Sequence, residues 1–98
     1  MYDSNKVYSF KLNSGEELIA RVIESDYQHV IIQDPVSVGP GPQGMALIPS
    51  MFTADTSEKI KLNTNSIIMS AKTEESIKNK YIEATTGIKL PEKKLILG

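Results

Sequence analysis

Residues 10–35 read FKLNSGEELIARVIESDYQHVIIQDP, and this stretch decides the fold. Tyr8, Phe10 and Leu12 alternate with Ser9, Lys11 and Asn13, the period of a half-buried strand. Asn13, Ser14 and Gly15 form a turn signal in which glycine supplies a positive φ. A longer apolar run over 18–23 follows, with Leu18, Ala20 and Val22 on one face. Ser25, Asp26, Tyr27 and Gln28 turn the chain again, and Val30, Ile31 and Ile32 resume it. The stretch therefore predicts three strands joined by two tight turns.

Beyond it, the third strand is expected to run out at Asp34 and Pro35, with residues 36–38 continuing as extended chain. Residues 39–44, GPGPQG, suit neither a helix nor a central strand and read as a hairpin loop. Residues 45–52 are apolar and contain Pro49, which predicts an edge strand bent at that proline. Residues 55–58 are a polar interruption, and 59–62 are extended again. Asn63, Thr64 and Asn65 are a turn before a fifth strand over 66–71. A helix is expected over 73–86, capped by the Thr73 hydroxyl, with Glu74 and Glu75 at the positive end of its dipole. Ile77, Tyr81 and Ala84 share its apolar face with Ile82 beside them, while Lys78, Asn79, Lys80 and Glu83 face water. Gly87 ends it. Leu95, Ile96 and Leu97 are expected to pack on the domain or on a neighbour.

At 98 residues the chain is a single domain: strands over 6–72, the helix over 73–86 and a tail over 87–98. It contains no cysteine, so neither a disulfide framework nor a thiolate metal site arises. No apolar run reaches the length of a signal peptide core or a membrane span, so a cytoplasmic protein without a membrane partner is expected. Eleven basic residues stand against twelve acidic ones, for a net charge of −1. Bulk charge does not announce a polyanion partner, so any nucleic-acid site must be a local patch.

The order of apolar residues and turns in 10–35 resembles the first motif of the Sm/LSm/Hfq family of small RNA-binding barrels. Phe10 and Leu12 match its apolar pair and Gly15 its glycine. Leu18 and Val22 match the next apolar positions, and Ala20 stands where a second glycine is usual. Asp26 matches the aspartate, and His29 falls at or near the asparagine position. The family's second motif carries Arg-Gly between strands four and five; here the same place holds Asn63, Thr64 and Asn65. The family's usual helix precedes the first strand, whereas here the helix follows the fifth. Residues 81–91 are also similar to small proteins encoded by large tailed phages of marine bacteria, in which case the cytoplasm would be that of the host.

The resemblance implies a mainly β fold: an Sm-like, strongly bent five-stranded antiparallel barrel with one C-terminal α-helix. It implies a homo-oligomeric ring of about five to seven subunits, closed head to tail through strands four and five. It also implies single-stranded RNA or DNA binding on two loops, which gives Asp26, Tyr27, Gln28 and His29 from the first and Asn63, Thr64 and Asn65 from the second. Tyr27 offers a stacking surface for a base, and His29 a ring for stacking or hydrogen bonding. Lys59 and Lys61 alternate to one strand face beside the second loop and suit phosphates. The same residue types also suit an ordinary solvated hairpin.

No Ser-His-Asp set is spaced for catalysis. The glycine-rich loop lacks the Lys-Ser or Lys-Thr of a phosphate-binding loop, and a lone histidine makes a poor zinc site. A non-catalytic protein without cofactor or metal is expected. Net charge −1 and the missing Arg-Gly favour an alternative, a structural or adaptor ring with protein partners. A monomeric interaction barrel using the 39–44 loop is a third reading.

Overall fold

The computed structural model describes residues 2–42, 44–55 and 57–87. The expectation for Leu95, Ile96 and Leu97 lies outside the described residues. β1 (Lys6–Leu12), β2 (Glu17–Ser25) and β3 (His29–Gly39) follow one another as an antiparallel meander. Gly15, at φ 94, closes the first turn with its N–H on the Leu12 carbonyl. β4 (Ala46–Pro49) returns along β3 after the 39–44 loop, and β5 (Ile60–Asn63) runs along the other half of β3. A 3-10 turn (Thr64–Ser66) leads to β6 (Ile67–Lys72), which pairs with β1. The helix α1 (Glu75–Thr86) ends the described chain.

Three expectations are corrected. The third strand does not stop at Asp34. It continues to Gly39 because Asp34 adopts φ 53 and the β2 ladder steps from Val36 to Gln33, so the N–H that Pro35 lacks falls where no partner needs it. The fourth strand is not one bent strand. Pro49 ends β4, and the chain leaves the sheet in turns before β5 resumes the same edge. The sheet then counts six strands, in the order β4-β3-β2-β1-β6, with β5 beside β3. Nor do the strands close: β4 and β5 on one edge do not pair with β6 on the other.

The middle of the sheet is buried on both faces. One face gathers Tyr8, Phe10, Leu18, Ala20, Val22, Val30 and Ile32, with Tyr2, Leu12, Ile60, Leu62 and Ile67 around them. Strand alternation places Val7, Ile19 and Val36 on the opposite face, where they meet Tyr81 of α1 together with Ile77 and Ile82. Tyr81 is the anchor of the helix, 1% exposed. Its hydroxyl accepts the Arg21 N–H at 3.1 Å and donates toward the carbonyls of Gln33 (3.1 Å) and Asp34 (2.9 Å). These backbone groups lie at the irregularity in the β2–β3 ladder, where Arg21 stands opposite Gln33. Burial, reinforced by the Asp34 carboxylate, pushes the Tyr81 phenol up to about 12, so it stays protonated and able to donate.

The helix start and its face also differ from expectation. Glu74, not Thr73, is the cap, its carboxylate accepting from the Ile77 N–H and the Ser76 hydroxyl. Thr73 is held by β1 instead: its N–H reaches the Val7 carbonyl and its hydroxyl pairs with Ser9. Ala84 is exposed, and Ile77 is half-buried rather than fully covered. Lys78, Asn79 and Glu83 are half-buried, leaving Lys80 as the exposed member of the expected water-facing set. Gly87 terminates the helix at φ 77, as expected of a left-handed cap. Among the described residues no helix is long and apolar enough to cross a membrane.

Candidate nucleic-acid interface

The turn between β2 and β3 is built by Asp26. Its Oδ1 accepts the N–H groups of Gln28 and His29, both at 2.8 Å, and its own N–H reaches the His29 carbonyl at 2.8 Å. A carboxylate that accepts two backbone donors is favoured in its charged form. The His29 N–H, then the Gln28 N–H, hold the Asp26 carboxyl below the ordinary value of 3.8, with smaller help from the charges of His29 and Lys61. Asp26 is thus a turn-forming residue with a negative charge at the surface.

Asn63 does the same work for the second loop, its Oδ1 accepting the Asn65 N–H at 2.9 Å to cap the 3-10 turn. The Asn65 carbonyl accepts weakly from the Asn13 side chain at 3.4 Å. His29 and Asn63 stand opposite each other in the β3–β5 ladder, so the two loops meet. Thr64 fastens them: its N–H donates to the Gln28 carbonyl at 2.9 Å and its hydroxyl to the Tyr27 carbonyl at 2.7 Å. The main chain of Tyr27 is therefore fixed while its ring is 97% exposed.

Of the nine residues singled out from the sequence, seven form this joined pair of loops. Lys61 is exposed on β5 opposite Ile31 and contributes positive charge toward Asp26. Lys59 stands before β5, at the end remote from Asn63, and is also exposed. Beside the loops, a groove of about 630 Å³ is lined by Tyr2, Asp26, Tyr27, Thr64, Ile68 and Met69 among others. Tyr2 reaches it because its ring packs edge-on against Tyr8, centroids 4.9 Å apart, and its hydroxyl pairs with Ser70. Nothing in the sequence near Tyr2 marked it for this place, and the latching role of Thr64 had no sequence signal either.

Both sheet edges expose apolar side chains. Ile68 and Met69 of β6 are 58% and 63% exposed, and Ile48 of β4, with Met51 and Phe52 just after it, is also exposed. Among the described residues no group of three or more His, Asp or Glu side chains is placed to hold a metal ion. No protein-family model matches the sequence, and no curated protein matches it significantly.

Proposed function

We propose that this chain is a subunit of an Sm-like homo-oligomeric ring that binds single-stranded nucleic acid, RNA first, without catalysis. The observation that carries the reading is the joined loop pair: Tyr27 is pinned through its carbonyl by Thr64 and presents its ring to solvent. An aromatic ring on a fixed main chain is a stacking surface whose backbone ordering entropy is already spent before a base arrives. Gln28 and His29 follow Tyr27 in its loop, Asn65 stands in the joined loop, and Lys61 on β5 adds a positive charge.

Assembly is supported by the open sheet. Two free edges on one chain, bearing Ile68 and Met69 on one side and Ile48 on the other, are complementary pairing templates. Joining one edge to the opposite edge of the next copy is a head-to-tail contact, which forms a ring if the rotation closes. Repetition would place the loop pair several times around one surface, so that weak contacts act together. The protein-partner alternative is favoured by the net charge of −1 and by Phe52, 81% exposed next to Met51. In that reading the same ring is an adaptor. Anisotropy titrations with oligo-U, oligo-A and oligo-dT across a salt series separate the two: binding of at least one strand that weakens with salt supports the first, and no binding at low salt leaves the adaptor.

A further inference from the structure

Four cationic residues from four different elements line one pocket. Lys6 comes from β1, Arg21 from β2, Lys72 from the end of β6 and Lys78 from α1, and together they line a cavity of about 290 Å³ with Glu75 as its one lining carboxylate. In a chain whose net charge is −1, this is a local concentration of positive charge. Two of the four are paired, Lys72 with Asp3 at 2.8 Å and Lys78 with Glu75 at 3.4 Å. The first pair is exposed on both sides and the second on its Glu75 side, so they are held weakly against a competing anion. Among the described residues Lys6 and Arg21 have no carboxylate at ion-pair distance, and Lys6 lies near enough to Asp3 to favour that carboxylate's charged form. Arg21 is instead aimed by the backbone, its Nη1 donating to the Asn5 carbonyl at 2.8 Å. Asn5 is itself fixed in a left-handed conformation, φ 65, with its N–H on the Val22 carbonyl. One donor of the guanidinium fork is thereby used for positioning, and the others remain for a planar or tetrahedral oxyanion.

We propose that this pocket binds a phosphate group of a single-stranded nucleic acid, as a second contact away from the loop pair. The inference rests on the nucleic-acid reading above for the source of the phosphate, though not for the chemistry of the pocket. Ile68 and Met69 do not line the pocket, and of the edge strand β6 only its last residue, Lys72, does. Arg21 and Asp26 are five residues apart along β2 and its turn, about 16 Å in extended chain. A few nucleotides span that distance.

The test pairs inorganic phosphate and short oligo-U, each followed at the backbone amides of Lys6, Arg21 and Lys78 by NMR, with anisotropy titrations of oligo-U at several salt concentrations. The Lys6→Gln/Lys78→Gln double variant should lower the slope of log affinity against log salt by about 1.4, two contacts at roughly 0.7 each for single strands. It should also remove the amide shifts. Oligo-U binding with an unchanged slope in the double variant and unshifted wild-type amides overturns the inference and leaves the loop reading standing. Shifts with inorganic phosphate but no oligo-U binding support the pocket as a free-phosphate site and overturn the nucleic-acid reading. An absence of shifts with both probes overturns the pocket.

Discussion

The hydroxyl of Thr64 donates to the main-chain carbonyl of Tyr27 at 2.7 Å, across 37 residues of sequence. This bond, with the Thr64 N–H on Gln28, ties the β2–β3 turn to the 3-10 turn between β5 and β6. Thr64→Val keeps the shape and branching of the side chain and removes only the donor. It should cost about 0.5–1.5 kcal/mol of stability, toward the low end because the bond is exposed to water. Urea denaturation measures the cost, and hydrogen exchange at Tyr27 and Gln28 measures the loosening. Exchange as slow as in the parent would show that the turns hold without the latch.

Tyr81 is the helix's largest buried group, and its hydroxyl satisfies three backbone groups at the β3 irregularity. Tyr81→Phe preserves the ring and leaves the Arg21 N–H with no acceptor from Tyr81. A loss of about 1–3 kcal/mol is expected, the cost of stranding a buried polar group. Ile77→Ala, at a half-buried position, should cost less than the roughly 2–5 kcal/mol typical of a full core truncation. Chemical denaturation measures both losses; no loss in Tyr81→Phe would mean that the hydroxyl contributes nothing beyond packing.

The strands in 10–35 were legible because their signals are local. Alternation at Tyr8, Phe10 and Leu12 sets a period, and Gly15 and Asp26 each close a turn within four residues. The passage of β3 through Asp34 and Pro35 was not legible, since proline ordinarily ends a strand and only the neighbouring strands reveal that its missing N–H has no partner to disappoint. The helix cap moved from Thr73 to Glu74 for a similar reason: β1 claims Thr73 across the sheet, 64 residues from Ser9. The meeting of the 26–29 and 63–65 loops was expected only from a resemblance, because nothing in either loop points at the other. The pocket of Lys6, Arg21, Lys72 and Lys78 has no sequence motif at all, its members being brought together by three strands and a helix.

Asp26 gives the loop unit a defined response to acid. Its folded-state carboxyl lies below the ordinary 3.8 because the His29 and Gln28 N–H groups stabilise the carboxylate. A group depressed on folding contributes stability that is complete above its unfolded value and is lost as pH falls through the folded value. Asp26→Asn retains an acceptor oxygen and cannot titrate. The stability gap between parent and variant should therefore be largest near neutral pH and shrink as the pH falls from about 4 toward 2. Thermal unfolding across that range measures the gap. A gap that stays constant would mean that the carboxylate's charge is irrelevant to the turn. Asp3, Asp55 and Glu74 are lowered in the same direction, so the parent alone does not isolate Asp26.

The oligomeric proposal turns on the outward residues of β6. Ile68→Lys places a charge on an edge residue that is 58% exposed in the single chain, so the isolated subunit should lose little stability. Buried at a subunit contact, the same charge is strongly disfavoured. Sedimentation equilibrium at micromolar concentration should show at least about five subunits for the parent and a smaller species for the variant. A parent that sediments as a monomer would remove the ring, and with it the argument that weak sites act in concert.

The site itself is tested by separating stacking from charge. Tyr27 has a fixed main chain and a free ring, so Tyr27→Ala removes a stacking surface without disturbing the Thr64 bond to the Tyr27 carbonyl. Stacking is worth about 1–3 kcal/mol per base and tolerates any base, so the variant should weaken oligo-U, oligo-A and oligo-dT by similar factors and leave the salt dependence alone. Lys61→Ala should do the opposite, lowering the salt slope by roughly 0.7 with a modest change in affinity, because one fewer counterion is released. Lys61 also lies close enough to Asp26 to favour its charged form, so the salt series should be run near neutral pH, where that carboxyl is ionised in both proteins. His29, half-buried and paired with Asn63 across the ladder, has less ring to offer, and His29→Ala alone should weaken binding less than Tyr27→Ala. If Tyr27→Ala and His29→Ala combined leave binding of every strand unchanged, the loops are not the site. The exposed Met51 and Phe52 would then make the adaptor reading the stronger one.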